Sequence, residues 1–208
     1  MNGTAADRTT LKAELLRQID RLDRQQALFP TGTPEIDRTI EQLESLTPLA
    51  TPLHASQQEN LVGTWALLYA SRGTVVTRQV SSVPPWMLAS IQIQRIWQQL
   101  HLGPQATIQA VNAAILELPL LGTWQLTATG TWVGETDDRT AKVAFDAFGF
   151  QAIDILGQPE WRLPELKIPV LEAFRNEAVW ITSYLDEDLR VGRGATGNLF
   201  VFRREPEA

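Results

Sequence analysis

The sequence contains no cysteine, and among its 208 residues are only two histidines, two methionines and two tyrosines. Without cysteine there is no disulfide framework, no cysteine nucleophile and no thiolate metal site, which excludes a small secreted scaffold or a zinc ribbon. The histidines, His54 and His101, lie far apart in the chain, so no metal site is expected and no cofactor is implied. Positive charge is also scarce: 18 basic against 24 acidic residues give a net charge of −6, with no lysine-rich tract. Nucleic acid is therefore not an expected partner. Long apolar runs are missing as well. The most apolar stretch, Val111 to Leu121, is broken by Asn112, Glu117 and Pro119 and falls short of the roughly 20 residues that a spanning helix needs. The opening MNGTAADRTTLKAELL has no basic region followed by an apolar one, so neither a signal nor a transit peptide is expected.

What is present is an apolar content of 44%, enough for one domain with a real core. Leu11, Leu15, Ile19 and Leu22 recur at helical spacing and predict a first helix over 10–28, capped by Thr9 or Thr10. Thr33 followed by Pro34 predicts the cap of a second helix carrying Ile36, Ile40 and Leu43. The two make a helical hairpin within residues 1–50. The segment SLTPLATPLHASQQEN reads as an extended connector, with a linker at 51–60.

Beyond the linker the period changes. Trp124, Leu126, Ala128, Gly130 and Trp132 alternate with threonines and a glutamine, the pattern of a half-buried strand. Further strands are predicted at 61–70, 107–118, 141–148, 177–185 and 198–204, with weaker ones at 73–80, 151–156 and 165–170. Residues 84–100 show no clean alternation and are read as a short helix between strands. About eight antiparallel strands over 61–204 predict a mainly β domain, a small closed barrel with room for one ligand.

Motifs for catalysis are lacking. Gly192 to Gly197 spell G-x-G-x-x-G, but a strand-like segment follows where a dinucleotide site needs a helix, so the glycines read as a hairpin turn. Asp186-Glu187-Asp188 reads as a solvated turn and not a calcium loop. No acid–base pair or nucleophile can be nominated; the expectation is that the protein is not an enzyme and has no catalytic residues. An enzyme acting on pigments within such a barrel would have to hide its groups.

The distinctive feature is seven tryptophans. Large inward rings either line a ligand cavity or fill a core. Alternation nominates Tyr69, Trp124, Leu126, Trp132, Trp180 and Tyr184 as the lining for a lipophilic small molecule. Pro84-Pro85-Trp86-Met87-Leu88 is apolar enough for Trp86, Met87 and Leu88 to dip into a bilayer interface, or to form a lid over the barrel mouth.

Three parts of the chain carry a resemblance: the opening helices, the run Asn60-Leu61-Val62-Gly63-Thr64-Trp65 through Ser71, and the closing Tyr184-Leu185-Asp186-Glu187-Asp188-Leu189-Arg190-Val191-Gly192-Arg193-Gly194-Ala195-Thr196-Gly197-Asn198-Leu199-Phe200-Val201. Together they resemble the plastid lipid-associated protein family, also called fibrillins or plastoglobulins. The resemblance implies a lipocalin-like antiparallel β-barrel behind an N-terminal helical segment. It implies a non-enzymatic protein at photosynthetic membranes or lipid bodies, handling carotenoid, quinone, tocopherol or acyl lipid. The expected location is cytoplasmic or peripheral to the thylakoid membrane, as in a cyanobacterial homologue. The alternative it implies is an interaction scaffold with a filled barrel and a protein partner, for example in isoprenoid-quinone synthesis. In lipocalin-like barrels an arginine from a late strand packs on the tryptophan of the first strand; the corresponding closure pair here is Trp65 with Arg190, with Arg190 and Arg193 straddling a hairpin turn.

Overall fold

A computed structural model describes residues 2–29, 33–74, 91–118, 120–154, 162–170 and 178–206. Three α-helices, α1 (Asn2–Ile19), α2 (Arg24–Leu28) and α3 (Pro34–Glu44), precede nine strands. These are β1 (Gly63–Ala70), β2 (Gln92–Leu102), β3 (Ile108–Leu118), β4 (Gly122–Gly134), β5 (Thr140–Asp154), β6 (Leu166–Pro169), β7 (Ala178–Leu185), β8 (Leu189–Gly194) and β9 (Leu199–Arg204). All pairings are antiparallel. They run β1–β2–β3–β4–β5–β7–β8–β9 and return to β1, so the sheet closes into a ring, with β6 added along the far half of β5. Closure of this kind leaves no unpaired edge between first and last strand.

The predicted helix within 84–100 is corrected. Gln92–Leu102 is strand β2, and 84–90 lie outside the described residues, as do Trp86, Met87 and Leu88. The pairing of β2 with β3 slips between Ile93 and Arg95, so that Gln94 is an extra residue. A bulge of this kind reverses which side chains face inward, and Ile93, Ile96, Gln98 and Leu100 all belong to one face. The segments 141–148 and 151–156 merge into the single long strand β5, bent where Asp146 is the extra residue opposite β4. Gly73 and Thr74 are not in a strand, and 75–80 lie outside the described residues.

The first helix begins earlier and ends earlier than its stripe suggests. Thr9 and Thr10 are inside α1, where their hydroxyls donate to the carbonyls of Ala5 and Ala6 one turn back. α1 stops at Ile19, and Asp23 opens α2 with a reciprocal capping box involving Gln26; each such cap satisfies backbone N–H groups left over at a helix start. Thr33 makes no side-chain cap on α3; its hydroxyl bonds Tyr69 instead.

Two apolar clusters hold the molecule together. Inside the ring are Trp65, Leu67, Leu100, Ile108, Trp132, Val143, Leu185 and Phe202, together with Leu53 and Leu61 of the connector. The connector crosses one end of the barrel: the Leu53 amide donates to the Asp138 carbonyl, Gln58 Nε2 to the carbonyls of Leu53 and Ala106, and Trp65 Nε1 to Leu61 O. Between β1 and β2 the ladder covers only Gly63–Ala66; where they part, Leu28 of α2 joins the interior cluster. The second cluster is outside the ring, where Leu15 and Ile19 of α1 and Ile36, Ile40 and Leu43 of α3 pack on Tyr69, Tyr184, Leu189, Val191 and Val201.

Polar contacts pin the helices to this outer face. Arg193 Nε donates to Glu44 Oε1 at 2.8 Å, and Lys12 Nζ to Asp186 Oδ2 at 2.8 Å and to Asp188. Burial works against the charge of Lys12, but the two carboxylates outweigh it and hold its pKa above the ordinary lysine value. Replacing it by methionine is expected to cost about 1 kcal/mol, the order for a partly exposed pair, and so to lower the melting temperature by roughly 2–4 °C. Faster amide exchange in α1 but not in the barrel strands is the accompanying signature; unchanged exchange there would show that apolar packing alone docks the helix.

Candidate functional site

Strand pairing fixes which side chains face into the barrel, because residues directly opposite share a face. Trp132 is opposite Val143, Leu126 opposite Phe150, and Ala128 opposite Phe148. Phe148 and Phe150 are in turn opposite Ile168 and Leu166. All of these stand on the inner face, yet they differ in exposure, and Ala152, Leu116 and Ile93 on that face beyond them are buried. Trp132 and Val143 are buried, Leu126 and Ala128 half-buried, while Phe148 is 40% exposed, Phe150 38% and Leu166 63%. The barrel is thus a cup, plugged by the connector at one end and, at the other, apolar and accessible along β5 and β6, where Ile93 and Leu116 of the facing wall stay buried.

Near the plugged end lies Arg190, wholly buried. Its guanidinium carbon stands 4.9 Å from the centroid of Trp65, 4.6 Å from Phe202 and 5.9 Å from Trp132. Its Nη2 donates to Gln98 Oε1, and Gln98 Nε2 donates onward to Asn112 Oδ1 at 2.7 Å. Burial, with the neighbouring charge of Arg204 adding to it, pushes the guanidinium pKa down to about 9. Arg204 lies 4.1 Å over the same Trp65 ring, so two cations flank one indole. Arg190 and Arg193 do not straddle a turn. Both lie within β8, and the left-handed backbone at this end belongs to Gly197, with φ of 74°, not to Gly194.

Of the nominated lining residues, the structure brings Trp132, Trp180 and Leu126 to the interior cluster and sets Trp124 on the same face of β4 nearer the mouth. Trp132 and Trp180 are in ring contact, with centroids 5.7 Å apart. Tyr69 and Tyr184 are corrected: they sit in the outer cluster against the helices. The ladder slips between Leu67 and Tyr69 in β1 and between Thr182 and Tyr184 in β7. Leu68 and Ser183 are the extra residues, and each turns the tyrosine that follows it outward. Tyr69 Oη donates to Asp37 Oδ1 at 2.9 Å and Tyr184 Oη to Asp186 Oδ2 at 2.6 Å.

Sequence reasoning missed Gln98, Asn112 and Thr182 on the inner face, and Phe148 and Phe150 at the mouth. The two phenylalanines carry a legible signal, alternation with Gly149. Gln98 does not, because its side is set by the bulge at Gln94. A separate hollow of about 600 Å³ lies outside the barrel between α1, Leu49 and the 186–188 turn; Lys12, Asp186 and Asp188 on its wall are paired with one another. Among the described residues no cluster of three or more metal-ligating side chains occurs, and no helix is long and apolar enough to cross a membrane.

Comparison with known proteins gives a consistent set. A model of the PAP_fibrillin family matches residues 9–203. Probable plastid-lipid-associated protein 5, chloroplastic, of Arabidopsis thaliana is 25% identical over 202 residues, which are 97% of this chain and 72% of that protein. Probable plastid-lipid-associated protein 3, chloroplastic, of Oryza sativa subsp. japonica is 24% identical over 206 residues, 82% of this chain and 52% of the relative. Probable plastid-lipid-associated protein 8, chloroplastic, of Arabidopsis thaliana is 40% identical over 78 residues, covering 30% of this chain and 33% of its own.

Proposed function

Because the chain belongs to the PAP_fibrillin family, we propose that it is a lipid-associated protein which takes one apolar molecule into the open end of its barrel, as a carrier and not as an enzyme. The observation that carries this reading is the set of inward-facing apolar residues left accessible at the mouth, Phe148, Phe150, Leu166 and Ile168. Water-accessible apolar surface on the concave side of a barrel is stabilised by a ligand at about 25 cal/mol per Å² covered. The names of the relatives, plastid-lipid-associated proteins, support a lipid as its cargo, and the reading takes in carotenoid, quinone, tocopherol or acyl lipid at photosynthetic membranes or lipid bodies. Trp124, Leu126, Trp132 and Trp180 are the lining residues of this reading.

Native mass spectrometry of protein purified from a photosynthetic host, followed by solvent extraction and an absorption spectrum, tests it. The expected result is one lipophilic molecule per chain, released by solvent. Reproducibly empty protein that co-purifies with another polypeptide would overturn the carrier in favour of a scaffold.

A further inference from the structure

The floor of the cup holds hydrogen-bond donors with nothing to donate to. Among the described residues, Nε and Nη1 of Arg190, Nε1 of Trp180 and the hydroxyl of Thr182 are buried without a hydrogen-bond partner. The three residues share the inner face of neighbouring strands: Thr182 is opposite Gly192, Trp180 opposite Gly194, and Arg190 opposite Leu185. Trp180 and Arg190 also share two walls, since Trp180 lies 5.7 Å from Trp132 and 6.1 Å from Phe202, the rings that flank the guanidinium. Buried polar groups are normally paired, and each one left orphaned is costly.

Charge points the same way. No inward-facing position of the described strands carries a carboxylate: the inner-face polar groups are Gln98, Asn112, Thr182, Arg190 and, opposite Trp65, Arg204. The acceptor oxygen of Gln98 is taken by Arg190 itself, and that of Asn112 by Gln98. A buried cation with no carboxylate partner among the described residues, next to a second cation at Arg204, is a site that lacks an anion. The missing partner is one that accepts and does not donate, carries negative charge, and reaches the floor through an apolar cup.

Building on the carrier reading, we propose that the barrel takes an amphiphile with a carboxylate head, of the long-chain fatty acid class. The carboxylate accepts from Arg190, Trp180 and Thr182 at the floor, and the acyl chain runs along Leu126 and Phe145 to Phe148 and Phe150 at the mouth. A charge-assisted hydrogen bond in such a place is much stronger than a neutral one, so the head group selects the ligand and the tail supplies bulk affinity.

The test is a pair of ligands that differ only at the head, oleate and methyl oleate, titrated at neutral pH against intrinsic tryptophan fluorescence of the whole chain. Wild-type protein is expected to bind oleate about tenfold or more tightly than the ester. Arg190→Met, which keeps volume and removes charge, should abolish that preference while the ester still binds. Thr182→Val, a smaller change, should reduce the preference without abolishing it, and serves if the arginine variant does not fold. Equal binding of acid and ester by the wild type, or a preference that survives Arg190→Met, overturns the carboxylate site and leaves the carrier standing. Binding of neither ligand also overturns the carboxylate site, while the carrier stands or falls on the native mass spectrum.

Discussion

Gly192→Val should leave a protein that melts about 6–12 °C below the wild type. The reason is the closeness of Trp180. A Cβ on Gly192 would lie 2.6 Å from both Cε2 and Cη2 of that indole, well inside van der Waals contact. The partly buried ring is hemmed in by Phe200 and Trp132, whose centroids lie 5.2 and 5.7 Å away. Overpacking of this sort costs about 1–3 kcal/mol, and a branched residue directly against an aromatic falls at the upper end. For a chain of this size about 3 kcal/mol moves the midpoint by the stated amount, a large share of a total stability on the order of 5–15 kcal/mol. Trp180→Leu in the same background should restore part of the loss, giving a coupling that a double-mutant cycle measures. A melting temperature within about 2 °C of wild type for Gly192→Val would mean that the indole does not pack over β8 as described.

The second large effect is alkaline. The Tyr69 phenol is pushed above the ordinary tyrosine range by burial, the Thr33 hydroxyl opposing and Asp37 reinforcing the shift. Burial acts likewise on Tyr184, reinforced by Asp186 and Asp188 and opposed by Arg8. In the unfolded chain each phenol ionises near pH 10. Above that pH the unfolded state therefore binds fewer protons than the folded one, and stability falls as pH rises. The contribution is intact below about pH 10 and lost above it, at about 1.4 kcal/mol per pH unit for each tyrosine. Arg190 has the opposite sign: its pKa is lowered in the fold, so its burial is relieved as pH climbs from about 9. Comparing wild type with Tyr69→Phe/Tyr184→Phe cancels that term. The wild-type denaturation free energy should fall more steeply between about pH 10 and 12, by up to about 2.8 kcal/mol per unit. The lost hydrogen bonds to Asp37 and Asp186 would appear as a constant offset, about 1 kcal/mol each, not as a slope. Parallel slopes would refute the assignment.

These same two tyrosines mark where the sequence stops being readable. Strict alternation puts Tyr69 with Trp65 and Leu67, and Tyr184 with Trp180 and Thr182. One inserted residue in each strand, Leu68 and Ser183, reverses the parity. Gln94 does this in β2, which is why that strand looks neither helical nor alternating. Bulges have no strong residue signature of their own and are visible only against a partner strand. By contrast, β3 and β4 pair without a slip over their whole length, and β4 is the strand whose alternation is plainest. The charged floor of the cup is only half legible. Arg190 follows from the family motif, but its isolation from any carboxylate depends on which way every neighbouring strand faces.

Ring closure also has a consequence in time. The last ladder to form joins β1 to β9, with Trp65 opposite Arg204, so the seam unites the start and end of the strand-bearing chain. Contacts so distant in sequence must repay a large loop-closure entropy before they stabilise anything, which slows folding. During synthesis β1 waits with an unsatisfied edge until β9 emerges, and an open edge of that kind pairs readily with other chains. Meanwhile α2 and α3, which precede β1 in the chain, are already available; α2 packs beside the part of β1 that β2 does not pair. Helix α2 thus covers the β2 side of β1 and leaves its β9 side open until the final strand arrives.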